Sequence, residues 1–451
     1  MKNETQFEGK KALVLGLAKS GHAAASLLAA CGAEVTLNDA APDDGNPLAA
    51  ELRELGVTVI CGGHPETILD GGFDFIVKNP GIPYQNPVIL KAEQLGIPVW
   101  TEIELAYLIS EAPIIAITGS NGKTTTTTLL FHMLNIGDRH PLIAGNIGTV
   151  ASTVASKAKA DELIVLEASS FQLMGTGRFR PHIAIWTNLY EAHLDYHGSR
   201  EAYGEAKARI TKNQTAGDFL IYNADQPELE RYIAGTEARL IPFTTKGRAE
   251  TGISADDEQI YWLGEPIIPR SKIMLPGAHN LENILSATAA AILAGCDRSA
   301  IESVLSSFTG VRHRMQFVKE VDGRKFYNDS KATNTLATKS ALSSFSTPTL
   351  LIAGGLDRGH SFEELRPYMV NVKAVIGIGE TADRLLQFAE SCGVTALSEQ
   401  QTLTAAVQEA FRVSSKGDTI LLSPACASWD QYPSFEARGD EFIDAVQQLK
   451  V

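Results

Sequence analysis

The run Ile114-Ile115-Ala116-Ile117-Thr118, followed at once by Gly119-Ser120-Asn121-Gly122-Lys123-Thr124-Thr125, constrains the fold of this chain more than any other feature. An apolar, β-branched run predicts a buried strand, and a glycine-rich turn then leads into a helical segment. Strand, glycine turn and helix in that order make a phosphate cradle. Glycines let backbone N–H groups converge on an anion, and the helix N-terminus adds its positive end. The lysine neutralises the β/γ-phosphates, and a threonine hydroxyl reaches Mg²⁺. The usual G-x-x-x-x-G-K-[ST] spacing is not met, because Ile117 stands five positions before Gly122. The shorter T-G-S-N-G-K-T-T loop is a distinct variant. An ordinary turn containing Gly-Lys-Thr is the bland alternative, which the flanking strand and helix disfavour. The reading is an ATP site formed by Gly119, Ser120, Asn121, Gly122, Lys123, Thr124 and Thr125.

At 451 residues there is room for about three domains of roughly 150 residues each. The composition, 44% hydrophobic and 20% charged, is that of a soluble globular protein. No stretch reads as a signal peptide or as a membrane span. Cys31, Cys61, Cys296, Cys392 and Cys426 are scattered without a C-x-x-C pair, which disfavours both disulfides and zinc. A cytoplasmic protein without membrane insertion is the expectation. The net charge of −14 argues against nucleic acid as partner. Small anionic ligands stay compatible, since local cradles rather than the global field hold them.

Strand–loop–helix alternation predicts an α/β chain with mainly parallel sheets: a Rossmann-like first domain, a central ATPase domain and a Rossmann-like third. The expected bounds are 1–110, 111–312 and 313–451. In the first, strand Ala12–Leu15 precedes Gly16-Leu17-Ala18-Lys19-Ser20-Gly21 and an Ala-rich helix. A second strand ends at Asn38-Asp39. Ala18 breaks the G-x-G-x-x-G dinucleotide fingerprint, which weakens NAD and leaves a related diphosphate such as a UDP-sugar. Lys78-Asn79-Pro80-Gly81 lies at the C-terminal end of another strand, where open α/β sheets bind ligands; a tight turn is the alternative reading. Ser20, Asn38, Asp39, Asn79 and Gly81 are the candidates for the sugar nucleotide.

In the central segment, strand Leu163–Leu166 delivers Glu167, and strand Ile183–Thr187 leads to His193. Mg²⁺ takes oxygen ligands, so Thr124 and Glu167 are candidates; a helix-capping role is the alternative for Glu167. His193, in His193-Leu194-Asp195-Tyr196-His197, is a functional candidate because it follows a strand ending on the same sheet edge. Lys207, inside Tyr203–Ile210, reads from its residues alone as a solvated helical lysine.

T-G-S-N-G-K-T-T, Glu167-Ala168-Ser169-Ser170, the His193 loop, Gly277-x-His279-Asn280-x-x-Asn283, Arg314 and Asp329-Ser330-Lys331-Ala332-Thr333-Asn334 occur in this order along essentially the whole chain. Together they resemble the Mur ligase family, the ATP-dependent amide ligases of peptidoglycan precursor synthesis. The closing Leu422-Ser423-Pro424-Ala425-Cys426-Ala427-Ser428-Trp429-Asp430-Gln431-Tyr432, with Phe435 and Arg438-Gly439, resembles members that add D-glutamate to UDP-N-acetylmuramoyl-L-alanine.

The resemblance implies that Lys123 and Thr124 hold the ATP phosphates and a first Mg²⁺, with Glu167 as its carboxylate ligand. It implies that His193 serves a second Mg²⁺, and that Lys207 is carbamylated by CO₂ to support that ion. Asn280, Asn283, Arg314 and Asp329 would recognise adenosine and ribose. Asn146 and Ser169 would face the muramoyl-alanine arm. Lys331, Thr333, Ser428 and Phe435 would surround D-glutamate, and Arg358 falls where many relatives carry lysine. A planar fork there replaces a point charge. A monomer is expected.

The reaction this implies is phosphoryl transfer from ATP to a carboxylate, then attack of the D-glutamate amine on the acyl phosphate. Two unit charges at 4 Å repel by roughly 4 kcal/mol at an effective dielectric of about 20, which Lys123 and Mg²⁺ would offset. Closure of the third domain is the expected gating step. Sister ligases that add a diamino acid carry Asp-Asn-Pro-Arg in the third domain, which is missing here. Folylpolyglutamate synthetases lack a first domain of this kind. A nucleotide-regulated binding protein or an NAD-dependent oxidoreductase fits poorly with the broken fingerprint and with Glu167 and His193 near the cradle.

Overall fold

The computed structural model describes residues 1–275 and 277–449, the side chains of Glu4 and Asp195 excepted. The chain divides into two compact units, Met1–Phe308 and a second from Thr309 onward. Among the described residues the strands form three sheets.

The first sheet comprises β1 (Lys11–Leu15), β2 (Glu34–Asp39), β3 (Thr58–Cys61), β4 (Phe75–Lys78) and β5 (Val99–Trp100). Its order is β3-β2-β1-β4-β5, and every pair is parallel. Gly21 is required where helix Lys19–Ala30 crosses the turn, since an added Cβ would lie 1.9 Å from the Gly16 carbonyl oxygen.

The second sheet holds β6 (Ile114–Thr118), β7 (Pro141–Gly145), β8 (Leu163–Glu167), β9 (Ile183–Trp186), β10 (Phe219–Asn223), β11 (Arg239–Thr244), β12 (Ile253–Ala255), β13 (Gln259–Trp262) and β14 (Glu265–Pro269). The order is β14-β13-β12-β11-β10-β9-β6-β8-β7. It is parallel from β7 to β12 and turns antiparallel for β13 and β14. That meander has no counterpart in the expectation from sequence, because its strands are short and only partly buried. Alternate residues of β6 enter different cores: Ile114 and Ala116 one, Ile115 and Ile117 the other. Burial on both faces explains why the run is continuously apolar rather than alternating.

One of these cores also takes in Val14, Val35 and Leu37 of the first sheet and Leu105 and Ile109 of helix Glu102–Ile109. Two buried carboxylates fasten that helix. Glu104 accepts the backbone N–H groups of Gly177 (3.0 Å), Arg178 (2.7 Å) and Phe179 (3.0 Å). Glu102 accepts the N–H of Ser152 at the start of helix Ala151–Ala155.

The third sheet, in the second unit, contains β15 (Gln316–Val321), β16 (Arg324–Asn328), β17 (Thr349–Gly354), β18 (Val372–Ile378), β19 (Ala396–Glu399) and β20 (Thr419–Leu422). Its order is β15-β16-β20-β17-β18-β19, parallel except for the β15–β16 hairpin. No described helix is long and apolar enough to cross a membrane.

Candidate active site

The glycine turn runs from the C-terminal end of β6 into helix Lys123–Ile136. The connection from β8 to β9 passes over β6, so strand order reverses beside this turn, where open α/β sheets take ligands. Two glycines are imposed by close approach. At Gly119 (φ +148°) an added Cβ would lie 2.0 Å from Thr187 Oγ1; at Gly122 (φ +80°) it would lie 2.0 Å from Asn283 Oδ1. The first intrahelical bond runs from Thr126 N–H to the Gly122 carbonyl, so the preceding amides open the helix.

The end of β9 holds this turn in place. The Asn121 N–H donates to Asn188 Oδ1 (2.9 Å), and Thr187 Oγ1 donates to the Asn121 carbonyl (2.7 Å). The Ser120 N–H donates to the Asn188 carbonyl (3.1 Å), and the Ser120 hydroxyl donates to the Tyr190 backbone carbonyl (2.9 Å). Thr187 and Asn188 hold the turn, a role that the motifs do not reveal. A Thr-Asn pair directly after the apolar strand Ile183–Trp186 was the available signal.

Lys123 Nζ donates to the carbonyls of Gly119 and Ser120, each at 2.9 Å. Lys207 Nζ donates to the same Gly119 carbonyl at 2.7 Å and lies 4.5 Å from the centre of the Tyr203 ring. Lys207 is only 1% exposed, which overturns the solvated reading. Gly204 lets its helix approach Tyr232, and Lys207 then points inward. Burial, with Lys123 adding like-charge repulsion, pushes the Lys207 amine well below the ordinary lysine range.

Glu167 ends β8 in register with Ile117 of β6. It is buried; Asn146 Nδ2 donates to its Oε1 at 2.8 Å, and the Asn146 N–H donates to its backbone carbonyl. Its Oε2 is buried without a hydrogen-bond partner. A buried carboxylate oxygen lacking a donor suits a cation, so the residues fit Mg²⁺. Among the described residues no three His, Cys, Asp or Glu side chains form a metal cage. A magnesium ion here would rest on Glu167, Thr124 and phosphate oxygens. Ser169 starts helix Ser170–Met174 in a reciprocal capping box with Gln172. His193 is exposed, adopts φ +56° at the start of the Leu194–His197 turn, and lies 5.1 Å from the Phe171 ring. Asn283 accepts from Thr126 Oγ1 (3.4 Å) and donates to Asn280 Oδ1 (3.2 Å), which sets both asparagines beside Gly122.

The first sheet also presents its candidates at its C-terminal edge. Asp39 accepts the N–H groups of Leu17 (2.5 Å) and Ala41 (2.8 Å). Asn38 donates to the carbonyls of Ile60 and Gly63 and pairs with His64 Nδ1 at 2.5 Å. Asn79 Nδ2 reaches Ser20 Oγ (3.1 Å), and its Oδ1 accepts the Gly81 N–H (3.1 Å). Asn38 is wholly buried, so its side chain shapes the loop 60–64.

In the second unit, the loops after β16, β17 and β20 carry the remaining candidates. Asp329 accepts from Ser423 Oγ (2.9 Å) and the Met315 N–H (3.1 Å), next to Arg314. Burial raises its carboxyl to about 7. Lys331 Nζ lies 5.1 Å from the centre of the Phe435 ring, and Thr333 follows in the same turn. Arg358 lies 5.0 Å over the ring of Trp429, itself 64% exposed; Ser428 beside it is buried. Arg438, named in the closing motif without a role, is the hub of this region. Its guanidinium donates to Ser330 Oγ (3.1 Å) and to the carbonyls of Ser330 (2.9 Å) and Cys426 (3.1 Å).

Three family models match in tandem: the Mur ligase MurD-like N-terminal domain over residues 10–101, the Mur ligase middle domain over 117–291, and the Mur ligase glutamate ligase domain over 313–426. The chain belongs to the Mur ligase family. Among Mur ligases it is 56% identical over 449 residues to a UDP-N-acetylmuramoylalanine--D-glutamate ligase of Shouchella clausii, covering 100% of this chain and 99% of that protein. It is 53% identical to the enzyme of that name from Bacillus cereus strain AH187, covering 100% of both. Solved structures share the fold. MurC of Thermotoga maritima aligns with TM-score 0.57 at 18% identity, covering 98% of this chain and 100% of that one. MurF of Thermotoga maritima in complex with ADP aligns with TM-score 0.57 at 16% identity, covering 99% and 97%.

Proposed function

We propose that this Mur ligase joins the amine of D-glutamate to the carboxyl of UDP-N-acetylmuramoyl-L-alanine, converting ATP to ADP and phosphate through an acyl phosphate. The observation that carries the reading is the 56% identity, end to end, with a relative bearing that name. The cradle chemistry supports it. Gly119–Thr125 would bind the phosphates, and Lys123 would turn from its two loop carbonyls to the β/γ-phosphates. Bound at Glu167 and Thr124, Mg²⁺ would neutralise charge as the two anions approach. Asn280, Asn283, Arg314 and Asp329 would recognise the nucleoside. Ser20, Asp39, Asn79, Gly81, Asn146 and Ser169 would hold the UDP-sugar and its alanine, with the buried Asn38 acting through the loop it shapes. Lys331, Thr333, Arg358, Ser428 and Phe435 would hold D-glutamate.

Lys207 is the finer part of the proposal. The deprotonated form of this amine, favoured by burial and by Lys123, would add to CO₂, forming an N–C bond and releasing one proton. The resulting carbamate would attract Lys123, where the ammonium form is repelled by it, and would support a second Mg²⁺ with His193. Domains at 1–110, 111–312 and 313–451, a monomer and a cytoplasmic setting complete the reading. The test is ADP formation from ATP and Mg²⁺ with each substrate omitted in turn. ADP only when UDP-N-acetylmuramoyl-L-alanine is present supports the reading; equal ADP without it refutes the reading.

A further inference from the structure

Lys78 ends β4 and is 1% exposed, yet none of the described carboxylates lies within ion-pair distance of it. Its ammonium instead donates to three carbonyls of the loop that follows: Ile82 (2.8 Å), Pro80 (3.3 Å) and Asn79 (3.4 Å). The ring of Tyr84 closes the other side, its centre 4.5 Å from Nζ, while the Tyr84 hydroxyl is buried without a hydrogen-bond partner. Carbonyl dipoles that converge repel one another unless a cation or donor sits among them, so this loop conformation depends on the ammonium. A buried cation held only by carbonyls and one aromatic face is costly to keep charged, and burial lowers Lys78 to about 8.

The conformation has two outward consequences. Asn79 is held with its side chain on Ser20 Oγ and on the Gly81 N–H, at the ligand-binding edge of the first sheet. The Ile82 carbonyl, besides accepting from Lys78, accepts from the Tyr196 hydroxyl at 3.3 Å, and Tyr196 belongs to the turn that His193 begins. The loop touches the β1 turn as well: a Cβ on Gly16 would lie 2.9 Å from Asn79 Cβ.

We propose that Lys78 is a positioning residue for the sugar-nucleotide substrate: it gathers the carbonyls of Asn79, Pro80 and Ile82 into one turn, sets Asn79 and Gly81 toward that ligand, and ties the turn to Tyr196. This rests on the reading of the first-sheet edge as the UDP-sugar site. Lysine suits the task because three carbonyls converge on a point, whereas a guanidinium would spread its donors in a plane.

The test compares the whole protein with Lys78→Met, which keeps volume and removes the charge. The dissociation constant of UDP-N-acetylmuramoyl-L-alanine is read by calorimetry, KM values for ATP and D-glutamate by phosphate release, and amide exchange at Gly81 and Ile82 by mass spectrometry without ligand. Expected are at least tenfold weaker sugar-nucleotide binding, KM values for ATP and D-glutamate within twofold, and faster exchange at both amides. Faster exchange with unchanged sugar-nucleotide binding would make Lys78 a fold residue only and overturn the proposal, as would unchanged exchange. Wild-type protein that does not bind the sugar nucleotide would overturn the functional reading itself, before any variant is compared.

Should Lys78→Met not fold, the wild-type protein still decides the matter between pH 7 and 9. Tyr84 is the titratable group in contact with Lys78; Tyr196, Arg209 and Glu93 act on Tyr84, whose own phenol stays protonated well above this range. Sugar-nucleotide binding should weaken above about pH 8 with faster exchange at Gly81 and Ile82. Exchange that follows only the intrinsic base-catalysed rate would overturn the proposal.

Discussion

Lys123 and Lys207 donate to one oxygen, the Gly119 carbonyl, from 2.9 and 2.7 Å. Two ammonium groups on a single acceptor repel, and the buried one yields, so Lys207 is the amine driven toward neutrality. A buried amine whose charged form is disfavoured by burial and by a neighbouring cationic lysine is poised for a reaction that gives it a negative charge.

The proposed carbamylation of Lys207 predicts a dependence on CO₂. In rigorously CO₂-free buffer the rate should fall, and bicarbonate should restore it. Lys207→Ala should lose roughly 10²–10³ in kcat, the scale of removing one preorganised electrostatic group. Full activity of either preparation would return Lys207 to a structural role.

Gly122→Ala should disable the nucleotide site. Its Cβ would collide with Asn283 Oδ1 at a backbone φ of +80°. The variant should lose about 1–3 kcal/mol of stability and raise the KM for ATP at least tenfold. Calorimetric unfolding and steady-state kinetics measure the two effects separately, and an unaltered KM would contradict the packing described.

Glu102 gives the stability of the first unit a pH dependence. Burial raises its carboxyl from 4.5 to about 7, so the folded state keeps a proton that the unfolded chain has released. This contribution is fully present below about pH 4.5 and is lost as pH rises to about 7. It is worth on the order of 3 kcal/mol at most. Glu102→Gln should flatten denaturant-measured stability across that interval; an unchanged slope would contradict the assignment.

Arg438→Met should destabilise the second unit by about 2–4 kcal/mol, because the Ser330 and Cys426 carbonyls lose their donor. Arg438→Lys should rescue little, since one ammonium cannot serve acceptors spread across the guanidinium plane. Thermal unfolding of both variants, with the KM for D-glutamate, checks this.

The sequence made strongly patterned elements legible. Ile114–Thr118, Leu163–Leu166 and Thr419–Leu422 are apolar on both faces, so burial and parallel pairing followed from the residues alone. The β12–β14 meander escaped notice because β12 is only three residues long and the partly exposed β13 and β14 carry little period. The cradle was legible because glycine, lysine and threonine act there through local backbone geometry. Lys207 was not, because a lysine in a helix reads as solvated until distant chain covers it, and Lys78 was not, because its own loop buries it only once folded. Asn188 and Arg438 likewise act through contacts 67 and 108 residues away in sequence.

The most direct test of the central claim is phosphate release from ATP and Mg²⁺ with UDP-N-acetylmuramoyl-L-alanine, across D-glutamate, L-glutamate, L-alanine, L-lysine and meso-diaminopimelate. The account predicts turnover with D-glutamate alone. Turnover with a different amino acid, or none with any, would contradict it.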